Sequence, residues 1–146
     1  MEDYAAQLGS DCAFFIENTP KIATGRGEVL EPVNVDLKGT YLVLIKPHIH
    51  ISTQEAYAGV KPTLPKHRLS DILQDKGSWK ELLVNDFEAS LFPKFPVLAE
   101  IKANLYAQGA YYSAMSGSGS TLFGLFSNKP ELKGINRDWF VFESQL

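Results

Sequence analysis

Cysteine is nearly missing from this chain of 146 residues. Cys12 is the only one. An internal disulfide is therefore excluded, and a reducing, cytoplasmic setting is the default expectation. Runs of basic residues are missing too. The 14 lysines and arginines are scattered among 17 acidic residues, giving a net charge of -3, so no footprint for nucleic acid exists. Long apolar stretches are absent. The run Tyr41–Ile45 falls far short of the ~20 residues a spanning helix needs. The first residues, Met1-Glu2-Asp3-Tyr4, do not read as a signal peptide. No internal repeat and no low-complexity segment occurs.

What is present suits one folded domain. Hydrophobic residues make up 45% and charged residues 21%, which argues against disorder. Glu2–Leu8 is a helix candidate that Gly9 breaks, and residues 11–16 form a short apolar segment. Ile22–Val33 carries two glycines between strand-prone ends and predicts a hairpin. Tyr41–Ile45 predicts a central strand covered on both faces, ended by Pro47. Ser52 as N-cap with Glu55 three residues on predicts a helix through Tyr57 and Ala58.

Short helical pieces are expected at 71–74, 79–83 and 86–91. The longest helix is expected over 93–108. Val97, Leu98, Ile101, Leu105 and Tyr106 form its apolar stripe, and Gly109 suits its end. Then come a strand at 111–115, a glycine loop at 116–119, a strand at 120–126 and a last strand at 139–142. No regular βαβ period exists. The expected class is α+β, an antiparallel sheet with helices on one face in a ferredoxin-like layout. Phe14, Phe15, Phe123, Phe126, Trp139, Phe140 and Phe142 are expected in the core.

Three segments could carry chemistry. Asp11 follows a glycine and precedes an apolar patch (Cys12–Phe15), where a carboxylate can take a proton from a hydroxyl. It also suits a plain helix cap. Ser116, Gly117, Ser118 and Gly119 lie between strands. Backbone N–H groups there can approach an anion, although a hairpin turn uses the same residues for conformational reasons. This loop is neither a P-loop nor a dinucleotide fingerprint. In Gly25-Arg26-Gly27-Glu28, Arg26 can meet a phosphate, or the glycines simply shape a turn. His48 and His50 alternate but lack a third ligand, so no metal site is expected. Nothing adjacent lowers the pKa of Cys12, so no nucleophile is expected there.

Singly these signals are bland, but their order is not. Leu8-Gly-Ser-Asp-Cys-Ala-Phe-Phe15, then Gly25-Arg-Gly-Glu28 running on to Val33, then a strand ending at Pro47 with Ser52-Thr53 after it, then Met115–Phe126 (MSGSGSTLFGLF) resembles the GHMP kinase superfamily. Within it, the wording is similar to the 4-diphosphocytidyl-2-C-methyl-D-erythritol kinase family, from about Tyr4 to Phe126. The resemblance implies the fold of the family's C-terminal domain across 1–146. It implies phosphorylation of a 2-hydroxyl on a diphosphocytidyl-linked methylerythritol, with ATP and magnesium, in non-mevalonate isoprenoid precursor synthesis. It makes Asp11 the catalytic aspartate, puts Ser116–Gly119 beside the phosphates, and sets Thr53 near the site.

The family's early lysine and its P-x-x-x-G-L-G-S-S phosphate loop do not occur in this sequence. The chain is therefore expected to lack the ATP-binding half, to hold no nucleotide tightly and to be inactive alone. Its partners would be the diphosphocytidyl substrate, the missing half of the same kinase and, through a face left uncovered, a second copy. A rival expectation is a stand-alone α+β module that binds an anion or a partner without catalysis.

Overall fold

The computed structural model describes residues 14–25 and 27–146. Asp11, Cys12, Arg26 and the expected helix at 2–8 lie outside the described residues. The described residues cluster into two units, one of residues 14–36 with His67–Lys76, the other of Leu37–Lys66 with Gly77–Leu146.

The smaller unit holds a short helix α1 (Phe14–Glu17) and a hairpin of β1 (Lys21–Thr24) and β2 (Val29–Pro32). The strands pair antiparallel, Lys21 opposite Pro32 and Thr24 opposite Val29. Gly25 and Gly27 both take positive φ in the turn, a conformation that costs a glycine little. Lys21 Nζ meets Glu17 Oε2 at 2.8 Å. The unit also contains a helix from the later segment, α3 (Leu69–Gln74).

In the larger unit, β3 (Tyr41–Lys46), β4 (Tyr112–Met115), β5 (Leu122–Phe126) and β6 (Phe140–Gln145) form one sheet in the order β4-β5-β3-β6. Every neighbouring pair is antiparallel. In chain order the strands lie 2-3-1-4, the split arrangement of a ferredoxin-like sheet. Between β3 and β4 run α2 (Thr53–Ala58), α4 (Trp79–Leu82), α5 (Glu88–Leu91) and α6 (Pro96–Ala107). The connection from β5 to β6 carries no helix. Residues 127–139 run as irregular chain, and their Leu132, Ile135 and Trp139 pack on the core.

Period-two alternation decides what each face does. Val43 and Ile45 of β3, Met115 of β4, and Leu122 and Phe126 of β5 point one way and are buried against Ala56, Leu91, Leu98, Ile101 and Leu105. Gly124 lies on this face opposite Val43 and Ser113. A Cβ there would sit 2.9 Å from the Phe126 ring and 3.2 Å from Leu105 Cδ2, so the missing side chain is what lets α6 lie this close. The helix starts at Pro96 rather than Pro93, because the residue before a proline is disfavoured in helical geometry, and Phe95 lies outside it with φ -127 and ψ 72. Its Leu98, Ile101 and Leu105 are buried as the stripe predicts. Gly109 follows the cap with φ 97.

On the opposite face, α4 covers the β4 end. The Trp79 ring meets Tyr112 edge-on at 5.7 Å, and Tyr112 meets Phe123 at 5.7 Å. The Tyr112 hydroxyl donates to Leu83 O at 2.9 Å. Burial pushes this phenol well above its ordinary value, with Tyr106 and Glu88 adding to the effect.

Cover thins toward β6. Leu42 and Leu44 are only half-buried, so β3 is not covered on both faces as its apolar run suggests. Phe140 is 59% exposed and Phe142 46%. These two phenylalanines, with Phe15 at 70%, are not core residues. The physical reason at β6 is position: it is the end strand, outside the reach of the helices that cover β3 and β5. Among the described residues, no helix is long and apolar enough to cross a membrane.

Candidate functional site

The glycine loop links the edge strand β4 to its neighbour β5, and both strands are buried. Ser116 N–H donates to Thr121 O (2.8 Å) and Gly119 N–H to Ser116 O (3.0 Å), closing a tight turn. Gly117 has φ 54 and Gly119 φ 94. These two positions differ in what surrounds them. A Cβ on Gly117 would meet nothing within 4 Å. One on Gly119 would lie 2.7 Å from Met115 Sδ and 3.3 Å from Ile51 Cδ1. Gly119 is thus fixed both by its dihedral and by close packing. Ser116 and Gly117 are exposed, while Ser120 is buried.

The stretch before α2 flanks this loop. Ser120 Oγ donates to Ile49 O at 2.6 Å, and Ile51 lies under Gly119. Two residues further on, Ser52 caps α2 as its sequence predicts, its Oγ accepting from Glu55 N–H at 3.1 Å. Thr53 is the exposed first residue of that helix. The structure therefore sets the chain leading to Thr53 against Ser116–Gly119. Asp11, the third expected member, lies outside the described residues. His48 is tied into the fold instead of standing free, its Nε2 donating to Asp138 O at 2.7 Å.

Two residues that the sequence does not advertise frame the loop, and a third backs one of them. Asn85 Nδ2 donates to Met115 O (2.7 Å) and to Gly117 O (2.9 Å). Glu88 is buried, and its Oε1 accepts from Met115 N–H at 2.7 Å while Oε2 holds Lys102 Nζ at 2.5 Å. A buried carboxylate needs both a counter-ion and hydrogen bonds, and this one has both. Only one signal was available in sequence: Asn85-Asp86-Phe87 can form an Asx turn, and Asn85 Oδ1 does accept from Phe87 N–H at 3.0 Å. Its partners at 115 and 117 carry no local trace.

Chemically, the loop offers unpaired donors. The N–H groups of Gly117 and Ser118 and the hydroxyls of Ser116 and Ser118 have no hydrogen-bond partner among the described residues. Consecutive free N–H groups around a left-handed glycine form a concavity suited to an anionic oxygen. Among the described residues, no group of three or more His, Cys, Asp or Glu side chains is placed to hold a metal ion.

Comparison with known proteins gives a consistent picture. A family model described as GHMP kinases C terminal matches residues 67–140. The chain is 50% identical over 150 aligned residues to a 4-diphosphocytidyl-2-C-methyl-D-erythritol kinase of Bacteroides fragilis, covering 100% of this chain and 54% of that protein. It is 51% identical over 133 residues to the kinase of the same name from Cytophaga hutchinsonii, covering 90% and 49%. A crystal structure of a 4-(cytidine 5'-diphospho)-2C-methyl-D-erythritol kinase superposes with a TM-score of 0.68 at 30% identity, over 85% of this chain and 47% of that one. The chain spans about half the length of the curated relatives it matches. With half of its residues inside the family model and that identity along its whole length, the chain belongs to the GHMP kinase family, matching its C-terminal domain.

Proposed function

We propose that residues 1–146 are the C-terminal domain of an ATP-dependent kinase that phosphorylates the 2-hydroxyl of 4-diphosphocytidyl-2-C-methyl-D-erythritol, a step toward isoprenoid precursors by the non-mevalonate route, in the cytoplasm. The observation that carries this reading is the 50% identity across the whole chain to a relative of that name. In this reading Asp11 takes or orients the proton of the attacking hydroxyl. Gly117 and Ser118 turn their free N–H groups, and Ser116 and Ser118 their hydroxyls, toward phosphate oxygens, while Gly119 closes the turn. Thr53 borders the same space. ATP with magnesium, when bound, supplies the phosphoryl group. The loop's donors fit such an anion. No group of three or more His, Cys, Asp or Glu side chains converges among the described residues, so magnesium would be held chiefly through the phosphates.

Catalysis of phosphoryl transfer is mostly positioning and charge neutralisation. The sequence contains neither the family's phosphate-wrapping loop nor its early lysine. In this reading the isolated chain binds no nucleotide tightly and has no kinase activity. Its partners are the diphosphocytidyl substrate and the N-terminal half of the same kinase. Without that half, the exposed β6 face favours self-association.

The test is a graft. Residues 1–146 replace the matching part of the Bacteroides fragilis relative, and ATP-dependent phosphorylation of the methylerythritol substrate is assayed. An active graft that loses about 10²–10⁴-fold on Asp11→Asn supports the reading. An inactive but folded graft refutes it. Turnover by the isolated chain refutes the inactivity. A folded, inactive graft whose loop still binds pyrophosphate favours the stand-alone anion-binding module, because the free loop donors survive in both readings.

A further inference from the structure

Asn85 precedes α5 and reaches two carbonyls of the glycine loop, 30 and 32 residues further along the chain. Phe87 N–H donates to its Oδ1, which leaves Nδ2 facing Met115 O and Gly117 O. One NH₂ group therefore fixes the carbonyls at both ends of the first loop turn. A trans peptide holds its C=O and N–H antiparallel. With Met115 O turned to Asn85, Ser116 N–H must point the other way, and it does, onto Thr121 O at 2.8 Å. By the same geometry Gly117 O on Asn85 drives Ser118 N–H outward, where no described residue accepts it.

The loop itself cannot enforce this. Gly117 has open space around its Cα, and a glycine passes between left- and right-handed backbone at little cost. The 117–118 peptide would then be free to flip and bury its donor. We infer that Asn85 is a positioning residue. It locks the Gly117–Ser118 peptide with its N–H facing outward, and so presets the loop for an anionic phosphate oxygen. The identity of that anion rests on the kinase reading. The locking does not.

The experiment uses Asn85→Asp. This variant keeps the shape and the acceptor for Phe87 N–H, and replaces the donors with a charged carboxylate oxygen. Amide nuclear magnetic resonance of the 146-residue chain is followed with inorganic pyrophosphate as the probe. In the native chain the Gly117 and Ser118 amides shift on titration. In the variant their apparent affinity falls at least tenfold while the β3 amides keep their native positions. Asn85→Ala, which adds no charge, falls the same way. Equal affinity in native and either variant overturns the inference, and so does a native loop that ignores pyrophosphate.

The graft separates this from the kinase reading. If native graft activity survives but pyrophosphate binding is insensitive to Asn85, the positioning role fails alone. If the graft is inactive while the loop responds as described, the kinase reading fails alone. In an active graft, Asn85→Asp lowers kcat with the KM for the methylerythritol substrate unchanged.

Discussion

The two edges of the four-stranded sheet are built on opposite plans. At β4, the backbone groups that face away from β5 all find side chains. Ser113 N–H donates to the Tyr106 hydroxyl at 3.2 Å, and that hydroxyl sits 3.2 Å from Ser113 O. Met115 N–H goes to Glu88 and Met115 O takes Asn85. At β6, both faces are open and almost every residue is exposed. Among the described residues no strand pairs with its outer edge. A free sheet edge is a template for association unless something blunts it. Here the edge that leads into the glycine loop is closed by three side chains, and the distant edge is left open. Rigidity is concentrated where a preset loop needs it.

That contrast can be broken by mutation, and the largest effect is expected at Glu88. Glu88→Ala leaves Lys102 without its partner and Met115 N–H without an acceptor in a buried setting. Urea denaturation should show a loss of about 3–5 kcal/mol. A loss under about 1 kcal/mol would mean the closed edge is ornamental. Next comes Gly119→Ala. The left-handed φ alone costs about 1–2 kcal/mol, and the contact with Met115 Sδ adds to it. Gly117→Ala, with the same handedness but open space, should cost only the dihedral part. Equal losses at the two sites would show that packing under the loop does not matter.

Smaller still is Tyr106→Phe, which strips both outward groups of Ser113 and should cost about 1–2 kcal/mol. Ser113 itself gives a prediction of opposite sign. Its Oγ is fully buried with no hydrogen-bond partner. Ser113→Ala removes an unsatisfied hydroxyl and should be neutral or stabilising by up to about 1 kcal/mol in the same denaturation series.

Local signals were legible in the sequence because their causes are local. The Ser52 cap, the stripe of α6, Gly109, the hairpin glycines and the apolar run of β3 each depend on residues within a few positions of one another. The loop was legible as a loop for the same reason. What frames it was not. Glu88 is a charged residue that would be expected outside, and only a lysine 14 residues on and a backbone amide 27 residues on make its burial tolerable. β6 runs three residues past its expected end, because pairing extends to Gln145 opposite Tyr41 rather than stopping with the aromatic pattern. Phe140 and Phe142 look like core residues in composition, yet burial depends on which strand the topology puts at the end. Asp11 and the helix expected before it fall outside the described residues.

The smallest expected effect is at the open edge. Phe142→Thr keeps a good strand former in place and removes an exposed ring. Urea denaturation should then move by less than about 0.5 kcal/mol, the range for surface positions. The double variant Phe140→Thr/Phe142→Thr should behave the same way and should also lower any self-association seen by sedimentation, since it removes the two exposed rings that β6 presents. A loss of about 2 kcal/mol or more from the single change would mean that the ring is covered in solution. The β6 face would then be an occupied surface, the two edges would be equally closed, and the loop would lose its claim to be the specially stiffened end of the sheet.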